Sequence, residues 1–251
     1  MPDPALASLT LAGAIPPVRN TMAKRIHVPP REWGQMLGTD YWLVASGELS
    51  VAGAASDLLS DWGWITTSLV ETAGSGGDFG SSADVGTPPH LLTNASSDLL
   101  QSPAVFGSYA HMRAVQDILG YFPTKLIAEF WAAMTVHSAD EVRSGWGFIE
   151  DGGSAATEAD QLAWISSDGS NFQIAGNAGT PINGAADDAN FHRFKIILNK
   201  ETGKVTWEID GVSQTMASAL SITADEFPVS FGMHALTTNR PALAQVHIWY
   251  E

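Results

Sequence analysis

Residues 191 to 216 read FHRFKIILNKETGKVTWEIDGVSQTM, and this stretch decides the fold class. Polar and apolar residues alternate over 193–198 and again over 204–210, on either side of a turn at 199–203. A second turn follows at Asp210-Gly211. Period-two alternation interrupted by glycine-containing turns is typical of half-buried antiparallel strands. The segment therefore predicts hairpins within an antiparallel sheet.

Strand-like segments separated by turn residues recur along most of the chain. Strands are expected near 40–46 and 63–71, and the apolar run 125–137 is expected to form a central strand. Further strands are expected at 145–149, 161–166, 171–175, 224–235 and 242–250. The segment 109–119 fits a short amphipathic helix, and 73–104 reads as a long Gly/Ser loop. Roughly a dozen short strands at this spacing predict an all-β, antiparallel jelly-roll β-sandwich.

The first 32 residues differ from the rest and are interpreted as an extended arm, followed by one jelly-roll domain over 33–251. Six prolines in this segment disfavour helix and favour extended chain. Four of the 12 Lys and Arg residues of the protein lie in it: Arg19, Lys24, Arg25 and Arg31. A basic arm on an acidic body suggests docking on a neighbouring acidic surface. The alternative is an arm that wraps its own domain.

The composition restricts the partners of the protein. A formal net charge of -15, from 27 acidic and 12 basic residues, disfavours binding to nucleic acid and to anionic membranes. There is no cysteine, so disulfides and thiolate metal sites are excluded. No apolar run approaches the ~20 residues of a transmembrane helix. The N-terminus lacks the positive region of a signal peptide, and none is expected.

Three motifs carry a resemblance to a known superfamily: WGFIED at 146–151, DGSNF at 168–172 and TGKVTWEIDGV at 202–212. From about Ala128 to the C-terminus, the pattern resembles the concanavalin A-like lectin/glucanase (LamG-like) jelly roll. The resemblance implies the fold but no single activity, because lectins, hydrolases, lyases and virion proteins share it.

One motif tests whether the chain is an enzyme. Retaining glucanases of the superfamily that the chain resembles carry Glu-x-Asp-x-x-Glu on one strand. Glu208-Ile-Asp210 matches the first half of that motif. Ser213 stands where the second Glu is needed, and Gln214 follows. Neither side chain can act as a general acid. Asp210-Gly211 also reads as a turn, so the sequence predicts a non-enzymatic protein.

The sequence gives only weak indications of metal-binding, cofactor-binding or glycan-binding sites. Seven histidines show no metal-ligand spacing, and the acidic loops match no ordered calcium motif. No cofactor is expected, with calcium in those loops as the open alternative. Most of the nine tryptophans are expected in the core. Trp62 and Trp64 share a strand face and are the candidates for stacking on a glycan.

TGKVTWEIDGV is also similar to jelly-roll domains in bacteriophage structural (decoration or fibre) proteins. Together with the observations above, this resemblance implies a non-enzymatic virion structural protein, such as a bacteriophage head-decoration, cement or fibre component. Such a protein would contact capsid subunits through the arm and form a homo-oligomer, for which capsid geometry suggests a trimer. It would be located in the virion, and in the host cytoplasm during assembly. The alternative is a carbohydrate-binding, lectin-like module. A second alternative is a glycoside hydrolase or polysaccharide lyase.

Overall fold

The structure is a computed structural model that describes most of the chain from residue 98 onward and short strand segments before it. The described residues are 40–44, 65–67, 70–72, 90–92, 98–102, 104, 106–109, 112–113, 116, 122–136, 141–177, 179–214, 220–236 and 239–251. For the segments between 40 and 92, the description covers the backbone alone.

Two antiparallel sheets form the described fold. In spatial order, sheet A contains β13 (Val212–Ser213), β12 (Lys204–Ile209), β11 (His192–Asn199), β6 (Lys125–Val136), β15 (Arg240–Tyr250), β4 (His90–Leu92) and β3 (Val70–Thr72), and β1 (Asp40–Val44) also pairs with β15. Sheet B contains β10 (Ile182–Ala186), β9 (Asn171–Ala175), β8 (Gln161–Ser167), β7 (Glu141–Ile149), β14 (Ser230–Ala235), β5 (Asp98–Gln101) and β2 (Ile65–Thr67). The predicted all-β antiparallel sandwich is confirmed.

Aromatic side chains from both sheets form the core. Phe194 of sheet A lies 5.6 Å from Trp146 and 4.9 Å from Phe172, both on sheet B, measured between ring centroids. Phe130 stacks on Phe194 at 5.4 Å and meets Phe231 of sheet B at 5.2 Å. All five rings are almost completely buried. Each buried aromatic of this size contributes about 2–3 kcal/mol of hydrophobic stabilisation, so this cluster holds the two sheets together.

The hairpins form where the alternation predicts them. On β11 and β12, every second side chain is buried, including Phe194, Ile196 and Trp207. Asp210 and Gly211 have φ of 52° and 78°. Two successive positive φ values are typical of a type I′ turn, which suits the twist of a two-residue hairpin. The predicted hairpin of β8 and β9 and the central position of β6 are also confirmed.

Parts of the strand assignment were wrong. The predicted loop at 73–104 contains β4 and β5, because strands of three or four residues are too short for alternation to show. The expected strand at 224–235 begins with a 3₁₀ turn at Ala224–Glu226, whose ends Thr223 and Glu226 form a capping box. The expected strand at 63–71 is two strands, β2 and β3, which belong to different sheets.

Four residues are described in the segment predicted as a short helix. Tyr109, Met112, Arg113 and Gln116 have helical backbone, and the Met112 amide donates to the Ser108 carbonyl at 2.8 Å. Met112 is buried and Tyr109 is exposed, as an amphipathic helix requires. Within the described residues, no helix is long and apolar enough to span a bilayer.

Candidate functional site

The outer face of sheet A, which points away from sheet B, combines charged and aromatic side chains. Residues opposite each other in the strand register form one row across the sheet: His247 on β15, Glu129 on β6, Lys195 on β11 and Glu208 on β12. The neighbouring row contains Gln245, Trp131 and Arg193. Side chains on one face of adjacent strands lie within contact distance, so the topology brings these residues together.

An open cleft of about 420 Å³ lies on this face, and we call it the Trp131 cleft. Its lining consists of Glu129, Trp131, Arg193, Lys195, Glu208, Asp210 and Gly211. The cleft therefore has one large aromatic surface, and the other side chains that line it can donate or accept hydrogen bonds.

Trp131 is presented to solvent rather than to the core. It is 39% exposed, whereas its strand neighbours Phe130 and Ala132 are buried. Phe191, which immediately precedes β11, meets the Trp131 ring edge to face with centroids 6.1 Å apart and an interplanar angle of 81°. This contact limits the orientations of the indole, so the ring offers a fixed apolar surface at the edge of the cleft.

The charges of the cleft are arranged in alternation. Lys195 lies between Glu129 and Glu208 in the strand register. Arg193 Nε lies 3.7 Å from Glu129 Oε1, and 68% of the Arg193 side chain is exposed. A single long contact at such exposure is a weak ion pair. The guanidinium therefore keeps most of its five donors for other partners.

His192 is not part of the cleft lining, but it contacts two loops, one of which carries the cleft residue Asp210. Its Nδ1 is 2.7 Å from Asp210 Oδ2, and its Nε2 is 2.8 Å from Asp188 Oδ1. Burial by itself would lower the pKa of His192, but the hydrogen bonds to both carboxylates outweigh it and raise that pKa above its ordinary value. The hydrogen bond from His192 is the main cause that lowers the pKa of Asp188 to about 2. Asp210 is therefore held by the histidine, although about half of its side chain is exposed.

A second aromatic group borders the same face. His247 and Trp249 on β15 stack with centroids 4.5 Å apart, and Lys195 Nζ lies 5.8 Å from the centroid of Trp249. Lys195 thus connects this pair with the charged row of the cleft.

The residues that the sequence singled out fall in different places. The arm residues Arg19, Lys24, Arg25 and Arg31 lie outside the described residues, as do Trp62 and Trp64. Of the five tryptophans with described side chains, three are fully buried, as expected: Trp146, Trp164 and Trp207. Glu208 belongs to the cleft, and Ser213 pairs with it across the β12–β13 hairpin.

The acidic loops suggested for calcium use their carboxylates in local structure. Asp168 accepts hydrogen bonds from the amides of Ser170 and Asn171, at 2.8 and 2.6 Å. Asp187 accepts from Ser167 Oγ at 2.6 Å. In the part of the chain that is described, no three Asp, Glu or His side chains converge as a metal-binding group.

Sequence reasoning missed Trp131, Arg193 and His192 as site residues. Trp131 lies within a run that is apolar at nearly every position, so the pattern does not show which face it occupies. His192 shows only an i, i+4 spacing to Asp188, while its second partner, Asp210, lies on another hairpin. The strand register of β6 and β11 was needed to place these residues together.

Comparisons with known proteins give only distant likenesses. No family model and no curated protein matches the chain. Among solved structures, the chain is similar to a Trypanosoma rangeli sialidase in complex with the inhibitor DANA, with 13% identity and a TM-score of 0.42 over 65% of this chain. It is also similar to the botulinum neurotoxin serotype D binding domain, with 7% identity and a TM-score of 0.41 over 65% of this chain.

A third similar structure is an alginate lyase of polysaccharide lyase family 7, with 9% identity and a TM-score of 0.43, over 89% of this chain and 99% of the lyase. This chain spans only 25% of the sialidase chain and 39% of the toxin chain. Identities and TM-scores of this size assign no activity to the chain. None of these three is named as a virion protein, so the virion role stays a prediction.

Proposed function

We propose that this protein is a carbohydrate-binding β-sandwich that binds its ligand in the Trp131 cleft without converting it chemically. The observation that supports the proposal most is the braced, 39% exposed ring of Trp131 at the edge of an open cleft whose other side chains are charged. The combination suits a ligand with one apolar face and a polar rim.

A sugar ring has this shape. The C–H groups of a pyranose form a flat apolar patch that stacks on an aromatic ring, while its hydroxyls radiate outward as donors and acceptors. In the cleft, Glu129 and Glu208 can accept from hydroxyls, and Lys195 and Arg193 can donate to them. Because the charged residues alternate across the sheet, their side chains partly neutralise one another and act as directional hydrogen-bonding groups.

The test is a glycan array that includes neutral, acetylated and uronic-acid glycans, followed by calorimetry on the tightest binder. We expect Trp131→Ala to weaken that binding at least about tenfold, as for an aromatic hot spot. Tyr109→Ala is the matched control, because Tyr109 is an aromatic residue that is 76% exposed and lies outside the cleft. Silence of the array, or equal losses in both variants, would reject the proposal.

A second candidate function is glycoside hydrolysis or lyase chemistry in the same cleft. The observation that favours it is the presence of two carboxylates, Glu129 and Glu208, on either side of Lys195. Two strand spacings put their Cα atoms roughly 10 Å apart, and inverting glycosidases hold their carboxyl groups about 6.5–9.5 Å apart. The test measures release of reducing ends or of unsaturated sugar from the bound glycan. Release by the wild type that is lost in both Glu129→Gln and Glu208→Gln would support a catalytic function in place of a binding function.

The virion structural role rests on the arm at 1–32. It remains the explanation to test if the array is silent. Deleting residues 1–31 should then abolish binding to particles, while the β-sandwich keeps its circular dichroism spectrum. Light scattering on the same two proteins tests the predicted homo-oligomer. Unchanged particle binding after the deletion would reject the arm as the contact element.

A further inference from the structure

Both ring nitrogens of His192 face carboxylates at hydrogen-bond distance, 2.7 Å for Asp210 and 2.8 Å for Asp188. An ionised carboxylate only accepts hydrogen bonds, so each contact needs an N–H on the ring. A neutral imidazole has one N–H, and an imidazolium has two. The observed geometry is therefore that of the charged histidine.

Among the described residues, Asp188 and Asp210 are the charged groups that contact the His192 ring. Phe172 on β9 and Phe194 on β11 meet the ring with centroids 5.5 and 6.2 Å away and bring no charge. The carboxylate of Asp187, in the same loop as Asp188, is directed to Ser167 Oγ and the Ala189 amide. The Arg193 guanidinium belongs to the next position of β11 and lies on the outer face.

Each partner of His192 is connected to the Trp131 cleft. Asp210 lines the cleft itself, and its Oδ1 accepts from the Arg193 amide at 2.9 Å. Asp188 belongs to the loop before β11, where its Oδ1 also accepts from the Asn190 amide at 3.0 Å. That loop leads directly into Phe191, the residue that braces Trp131. The two bonds of His192 thus fix one wall of the cleft and the segment that carries the brace.

We propose that His192 is a positioning residue that keeps the Trp131 cleft in its binding geometry only while its ring carries both protons. The proposal rests on the carbohydrate-binding function for its effect on affinity, but not for its effect on the geometry of the cleft. When the second proton leaves, one N–H remains for two carboxylates. Either Asp188 or Asp210 then loses its hydrogen bond to the ring, and two anions flank a neutral imidazole.

The consequence is a loss of affinity as the pH rises. Deprotonation removes one of the two hydrogen bonds between His192 and the carboxylates that position the cleft. We therefore expect the affinity for the carbohydrate ligand to fall about tenfold between pH 5.5 and pH 9. The raised pKa of His192 places the midpoint above the ordinary histidine value.

The experiment follows aromatic ¹H–¹³C signals of the full chain by NMR from pH 5.5 to pH 9, with the Trp131 ring assigned through Trp131→Phe. We expect the His192 and Trp131 signals to titrate with one midpoint, and the Trp131 titration to disappear in His192→Gln. Asp188→Asn should lower the midpoint, and it serves as a second variant if His192→Gln does not fold. His247→Gln, which removes another ring on the same face, should leave the titration unchanged.

Calorimetry on the tightest array binder then measures affinity at both pH limits, with a fall of about tenfold in the wild type and less than about twofold in His192→Gln. A Trp131 signal that stays flat while His192 titrates would overturn the coupling, and so would equal pH dependence in both proteins. If the array finds no ligand, the carbohydrate-binding function fails, and the NMR titration still decides whether His192 controls the cleft.

Discussion

Glu208 and Ser213 lie directly opposite each other across the hairpin of β12 and β13. Asp210, two residues after Glu208, occupies the turn between them with a φ of 52°. The catalytic pattern that the motif resembles needs both of its glutamates on one continuous strand. Here the strand ends at Ile209, so a hydroxyl on a different strand faces the carboxylate. The motif therefore contributes Glu208 and Asp210 to the lining of the cleft, and a serine stands at the position of the second glutamate.

This pairing predicts how charge at position 213 affects stability. Like charges directly opposite on antiparallel strands are destabilising, and opposite charges are stabilising, by roughly 0.2–1 kcal/mol. We expect Ser213→Glu to lower the free energy of unfolding by that amount, and Ser213→Lys to raise it. Urea titrations at low salt and in 1 M NaCl measure both. A difference between the two variants that survives high salt would contradict an electrostatic cause.

The aromatic core predicts a large loss for Phe194→Ala. The Phe194 ring contacts Phe130, Trp146 and Phe172 and is fully buried. Removing it leaves a cavity between the sheets and should cost about 3–5 kcal/mol of unfolding free energy. Arg193→Ala is the matched control on the adjacent, outward-facing position, with an expected change within about 0.5 kcal/mol. Denaturant unfolding followed by tryptophan fluorescence makes the comparison, and equal losses would place Phe194 outside the core.

The sequence predicted the hairpins because their determinants are local. Alternation over 193–198 and 204–210 and the turn at Asp210-Gly211 are readable without knowing any partner strand. The cleft depends instead on which strands become neighbours. Glu129 and Lys195 meet only because β6 pairs with β11, and this pairing is set by packing across the whole sandwich. Trp131 illustrates the same limit, because only the sheet shows that it points away from the core.

A buried tyrosine predicts a further effect on stability. The Tyr250 hydroxyl accepts a hydrogen bond from the Gly107 amide at 2.8 Å, and burial raises the pKa of this tyrosine. Tyr250→Phe removes the acceptor and leaves the buried amide without it, at a cost of about 1–3 kcal/mol. Thermal unfolding by calorimetry measures the loss. Tyr109→Phe, at an exposed tyrosine, should leave the unfolding temperature unchanged. A loss of similar size at both sites would show that the hydrogen bond is not the cause.

The His192 cluster predicts a stability profile with a defined pH window. The pKa of His192 is raised in the folded protein, so its contribution is fully present below the unfolded value of about 6.5 and is lost as the pH rises through the folded value. The pKa of Asp188 is lowered to about 2, so its contribution is present above the ordinary value of 3.8 and is lost as the pH falls through about 2. The two together give the greatest stabilisation between about pH 4 and pH 6.5.

The comparison that checks this window is wild type against His192→Gln in urea at pH 3, 5.5 and 9. Because both carboxylates are about half exposed, we expect the difference in unfolding free energy to be at most about 1 kcal/mol, with its maximum at pH 5.5. Lys204→Gln, which removes an exposed positive charge outside the cluster, controls for the change in net charge. A difference between wild type and His192→Gln that is the same at all three pH values would show that the ring acts through packing and not through its charge.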